Sequence, residues 1–173
     1  MRRKITLILI IIICYLLQST VFQSIDFAGI TPNLMIIIVS SVGFMWGRKE
    51  GMFVGIICGL LIEIFCGFYL GVYALLYMYI GYINGFFHKR FYPDDIKLPM
   101  ILISASDILC NLVIYLIMFL LRGRFNFLYY LKAVIIPEFI YTMVVSIFLY
   151  YVLLKICQSV EVHEKRRAKK FDL

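Results

Sequence analysis

The chain has 173 residues, 64% of them hydrophobic and 16% charged, with a formal charge of +7 and a mean hydropathy of +0.97. This apolar share exceeds that of ordinary soluble domains, and the length accommodates one domain. The positive charge does not indicate nucleic-acid binding, because the basic residues gather at the two ends instead of forming a compact basic domain.

Six apolar segments are predicted as membrane-spanning helices, at about 5–22, 33–46, 51–66, 68–87, 98–121 and 133–156. The runs are continuously apolar, which points to helices and not to the alternating strands of a barrel. The fold class expected is an all-α integral membrane protein of six transmembrane helices in one domain, 1–173, closed by a basic cytoplasmic tail at 157–173.

The first span follows Met1-Arg2-Arg3-Lys4. It has no small-residue cleavage site, and Ile13 precedes Cys14 where a lipoprotein signal would place a small residue, so it reads as an uncleaved helix. The second span is short: 14 residues cover about 21 Å of the roughly 30 Å hydrocarbon thickness. It is therefore expected to be tilted less than its neighbours, buried within the bundle or re-entrant. Thr31 is the expected N-cap and Pro32 the first helical residue.

The third span carries a pattern. Gly51, Gly55 and Gly59 recur every four residues, and the next step lands on Glu63. Each step turns the helix by about 400°, so Gly55, Gly59 and Glu63 stay within about 80° of one another. Glycines at this spacing admit a neighbouring backbone, so their face is directed at protein and Glu63 with it. Three roles for Glu63 stay open: a hydrogen-bonded packing residue, a site for a transported ion or substrate, and a partner-binding or conformational residue. The full register, Gly43 to Gly71, is expected to be interrupted by a turn at Arg48–Glu50 and an outer hairpin at 67–71.

The fourth span contains Tyr73, Tyr77, Tyr79, Gly81, Asn84 and Gly85. Its tyrosines read as interfacial anchors and packing residues. In the fifth, Asp107 stands near mid-depth with Asn111 one turn further along the same side; in the sixth, Glu138 follows Pro137 just inside the outer end. Glu63, Asp107, Asn111 and Glu138 are the candidates for an intramembrane polar site, since ionisable groups at this depth are costly. With six spans, fourteen of the 17 Lys and Arg residues fall on the side of both termini and three, Arg122, Arg124 and Lys132, on the other. The positive-inside bias therefore places both termini in the cytoplasm.

No nucleophile with its base, HExxH zinc site, phosphate loop or dinucleotide fingerprint is present. The cysteines Cys14, Cys58, Cys66, Cys110 and Cys157 form no CxxC pair and read as small hydrophobes, and His88 and His163 read as loop residues. The expectation is a protein without catalytic residues, cofactor or metal.

Several pieces in order resemble the MreD family of the bacterial rod-shape system. They are Gln18-Ser19-Thr20, Thr31-Pro32-Asn33-Leu34, the glycine segment Gly51 to Glu63, Gly71, the run Ala74-Leu75-Leu76-Tyr77-Met78-Tyr79-Ile80-Gly81-Tyr82-Ile83-Asn84-Gly85, and Pro137. The family commonly has Asp where this chain has Glu63. The resemblance implies a non-enzymatic scaffold in the bacterial inner membrane that binds MreC and couples MreB filaments to RodA and a class B penicillin-binding transpeptidase. It also implies packing or partner-binding roles for Pro32, Gly51, Gly55, Gly59, Glu63, Gly71, Gly81 and Gly85. The implied fold is similar to the substrate-binding subunits of ECF vitamin transporters, which supplies the alternative of a small-molecule capture subunit.

Overall fold

The computed structural model describes residues 2–22, 31–66, 71–90, 96–120 and 130–171. Among these residues there is no strand, and six helices follow in order. Helix α1 (Arg2–Leu16) continues into a π-helical turn, Leu17–Val21. Helices α2 (Leu34–Trp46) and α3 (Arg48–Cys66) are separated by Gly47 alone. Helix α4 (Val72–Asn84) tightens into a 3₁₀ segment, Gly85–Arg90. Helix α5 is Lys97–Leu120; a π turn, Leu131–Ile135, leads into α6 (Ile136–Phe171).

The short second segment is the centre of the bundle. Every residue from Leu34 to Met45 is buried, so α2 is covered on all sides by its neighbours. A helix this apolar all round is stable only in such a place. Its N-cap is Asn33, whose side chain accepts from the Ile36 amide at 3.2 Å. The cap thus falls two residues later than Thr31, and Pro32 precedes the helix instead of opening it.

At the other end of α2, Gly47 adopts φ 95°, a value that favours glycine, and the chain reverses in one residue. Arg48, Lys49 and Glu50, expected as a turn, are the first turn of α3. The outer hairpin expected at 67–71 lies outside the described residues except for Gly71. At the far end, the basic segment after 157 does not break away as a tail: α6 runs on through Phe171. Its Glu, Lys, Arg and Ala residues are strong helix formers, which accounts for the continuity.

Two helices, Lys97–Ile117 within α5 and Ile136–Val160 within α6, are long and apolar enough to cross a membrane. Apolar side chains are widely exposed, among them Ile5, Ile12, Ile64, Ile101, Val144 and Phe148, while Ser40, Ser41, Glu63, Asn84, Asp107, Thr142 and Ser146 are buried. The core itself is mainly apolar, as in soluble proteins; what differs is the breadth of the exposed apolar surface.

Candidate functional site

The glycine register of α3 lies against α4. A Cβ at Gly51 would stand 2.5 Å from the Gly81 carbonyl oxygen, at Gly55 2.6 Å from the Tyr77 carbonyl carbon and at Gly59 2.5 Å from the Ala74 amide nitrogen. From the opposite helix, a Cβ at Gly81 would stand 2.5 Å from the Gly51 carbonyl carbon, and at Gly85 2.5 Å from the Arg48 nitrogen. As α3 advances by four residues its partner on α4 recedes by about four, the signature of antiparallel helices meeting turn by turn. The two backbones touch with no side chain between them. Gly43 of α2 joins the seam, since a Cβ there would meet the Gly81 carbonyl oxygen at 2.6 Å.

Glu63 is the next step of this register, and it meets the start of α4. Its Oε1 accepts from the Tyr73 amide at 2.6 Å and from the Ala74 amide at 3.1 Å, and the residue is 4% exposed. Helix α4 needs this help because its own N-cap residue, Gly71, provides no side-chain acceptor. A carboxyl group borrowed from α3 satisfies two of the amides that every helix leaves unpaired at its start. Glu63 therefore holds a neighbouring helix of the same chain. Its second oxygen, Oε2, is buried and has no partner among the described residues.

At Gly71 a Cβ would meet nothing within 4 Å among the described residues, and its φ of 102° is one that favours glycine. Pro32 is buried beside a second node that sequence reasoning left unassigned. The Gln18 Oε1, on the π turn after α1, accepts from the Leu34 and Met35 amides at 3.1 and 3.3 Å. The Asn33 Oδ1 accepts from the Tyr77 hydroxyl at 2.9 Å, and the Asn33 amide donates to the Thr142 Oγ1 at 3.1 Å. Helices α1, α2, α4 and α6 are thus tied where α2 begins. The signal for this node was present in Gln18 and Asn33, both within the family pieces.

Gln18→Ala is expected to leave the Met35 amide unpaired at a cost of about 1–3 kcal/mol, read as a lower Tm. Gln18→Glu, which keeps the acceptor, is expected to stay close to the parent.

Nearer the opposite face, Asn84 Nδ2 donates to Ser106 Oγ at 2.8 Å and joins α4 to α5. His88, expected as a plain loop residue, has its Nδ1 3.0 Å from the Phe44 carbonyl oxygen. A carbonyl only accepts, so that nitrogen carries the proton.

Three of the polar candidates come together and the fourth does not. Asp107 and Asn111 of α5 and Glu138 of α6 lie within electrostatic reach of one another, while Glu63 is committed to α4. Glu138 and Asn111 are near enough to interact, although the Asn111 Nδ2 makes no hydrogen bond of standard geometry. Asp107 is 1% exposed, and neither of its carboxyl oxygens has a partner among the described residues. Among those residues no group of three or more His, Cys, Asp or Glu side chains is arranged to hold a metal ion.

A buried carboxyl without a hydrogen-bond partner carries an uncompensated desolvation cost of about 1–3 kcal/mol, which an apolar side chain of similar size removes. Asp107→Leu is accordingly expected to raise the Tm of the purified chain. A lower Tm would show that Asp107 contributes to stability.

No solved structure and no curated protein matches the chain, so the likeness to ECF transporter subunits has no support beyond the resemblance itself. The family model described as rod shape-determining protein MreD matches residues 1–160. That match takes in the α3–α4 seam, the node at the start of α2 and the polar group on α5 and α6, and the chain belongs to the MreD family, whose role is in determining rod shape.

Proposed function

We propose that this chain is a non-enzymatic scaffold of the cell-elongation complex, embedded in the bacterial inner membrane by six spans with both termini in the cytoplasm. It binds MreC and, through the assembly, couples MreB filaments to RodA and a class B penicillin-binding transpeptidase. Family membership supports the role in shape. The observation that carries the scaffold reading is the α3–α4 seam, in which two helices and a borrowed cap form one stiff unit. Stiffness of this kind suits a surface that must present a fixed shape to other helices.

The membrane placement is supported by the widely exposed apolar side chains, by the two long apolar helices among the described residues and by the fourteen-to-three division of basic residues. Within this reading Gly51, Gly55, Gly59, Gly81 and Gly85 set the backbone spacing and Glu63 the position of α4. Asp107, Asn111 and Glu138 make the junction of α5 and α6 polar inside the bundle.

Complementation tests the reading. In a rod-shaped bacterium deprived of its own copy, the intact chain is expected to restore rods. An Asp107→Leu chain that is at least as stable as the parent is expected to restore them poorly, because the junction of α5 and α6 loses its buried carboxyl group. Full rescue by that variant would remove the polar group from the functional account.

A further inference from the structure

Two cavities share residues of the first turn of α3, and we propose that together they form a binding site for one anionic phospholipid. The inference rests on the membrane placement proposed above. One cavity, of about 430 Å³, opens at the end carrying most of the basic residues and is lined by Arg48, Lys49 and Lys89, with Glu50, His88 and Phe86. The Arg48 guanidinium lies 3.9 Å from the centre of the Phe86 ring, which fixes its position. None of the three cations is taken up by an ion pair among the described residues, and with Glu50 they leave a net charge of +2.

The other cavity, of about 340 Å³, is a groove between α1 and α3. Its walls are Leu7, Ile8 and Ile11 on one side and Phe53, Val54 and Ile57 on the other. Lys49 and Glu50 line both cavities. The groove follows α3 away from this charged turn for about two helical turns. A basic pocket and an apolar groove that share Lys49 and Glu50 match a molecule with an anionic head and a hydrocarbon chain. Inorganic phosphate would fill only the first cavity, and a zwitterionic lipid would gain little from the net charge. Basic pockets between helices at the cytoplasmic surface are known to take lipid headgroups.

Native mass spectrometry of the full chain released from mixed phosphatidylglycerol and phosphatidylcholine nanodiscs tests this. One phosphatidylglycerol is expected to be retained, with a preference over phosphatidylcholine of roughly 30-fold, as two net cations supply at a headgroup. The Arg48→Gln/Lys89→Gln double variant is expected to lose that preference, and Lys49→Gln alone to lower it about fivefold. Lys155→Gln, on the exposed side of α6, is expected to change nothing. Ile8→Trp, which fills the groove, is expected to abolish lipid retention while leaving phosphate binding intact.

Equal retention of the two lipids would overturn the site, as would a preference that survives in the double variant. Displacement by millimolar inorganic phosphate together with an inert Ile8→Trp would show a phosphate site instead. A chain that fails to enter nanodiscs would overturn the membrane placement as well, whereas one that enters without selectivity overturns only the lipid site. No partner protein takes part in the measurement, so the scaffold reading is tested separately.

Discussion

Gly55→Leu is expected to separate α3 from α4. The Tyr77 carbonyl group and the Met78 nitrogen stand where the new Cβ would go, and a Cβ at this position would lie 2.6 Å from the Tyr77 carbonyl carbon and 2.8 Å from the Met78 nitrogen. These obstacles are backbone atoms, which cannot turn aside as a flexible side chain does. The cost should therefore exceed the roughly 1–3 kcal/mol of ordinary overpacking. The same holds for Gly59→Leu, opposed by the Ala74 and Tyr73 backbone. In detergent both variants are expected to show a markedly lower Tm and easier proteolysis between α3 and α4. The Gly71→Ala variant distinguishes packing from conformation: its Cβ meets no atom within 4 Å among the described residues, so a loss there is expected from φ 102°.

Glu63→Leu is expected to have the second largest effect. It removes the acceptor of the Tyr73 and Ala74 amides and leaves both without that partner, at a total of about 2–6 kcal/mol for two unsatisfied buried donors. Glu63→Gln keeps an acceptor oxygen but puts an amide where Oε2 has no partner among the described residues, so it should fall between the parent and the leucine variant. Glu63→Asp is a methylene shorter, so it is expected to keep the cap only if α4 moves closer. Hydrogen exchange at the Tyr73 and Ala74 amides reads this directly: fast in the leucine variant, slow in the parent. Equal protection in all variants would show that α4 starts independently of α3.

Much of this arrangement is legible from residue spacing. A glycine every fourth position can only mean one smooth helical face, and a lipid-facing glutamate at its end would be costly, so the inward direction of Glu63 follows from the sequence. Its partner does not, because the reach from α3 to the first turn of α4 depends on how the intervening hairpin folds. Thr31 and Asn33 are both good caps, and the sequence alone does not choose between them. In the folded chain Asn33 is placed to serve the Ile36 amide and the Tyr77 hydroxyl together.

The meeting of Asp107 with Glu138 was illegible for another reason. They lie on helices joined by a long connection, and periodicity within a helix says nothing about how two helices are rotated against each other. The node of Gln18, Asn33, Tyr77 and Thr142 escapes sequence reasoning for the same reason. Four polar residues on four helices gain meaning only when the bundle brings them together. The central position of α2 was one of three expectations raised by its shortness, and its burial from Leu34 to Met45 accounts for a helix too short to cross alone.

The scaffold reading makes the seam the feature on which partner binding depends. Affinity capture of the tagged chain from solubilised membranes, with MreC quantified in the eluate, tests this most directly. The parent is expected to bring down MreC. Gly55→Leu, compared at equal recovery of the chain itself, is expected to lose most of it, and Glu63→Gln to lose part. Undiminished MreC with Gly55→Leu would contradict the account, because the partner would then be held by a surface that does not depend on the packing of α3 against α4.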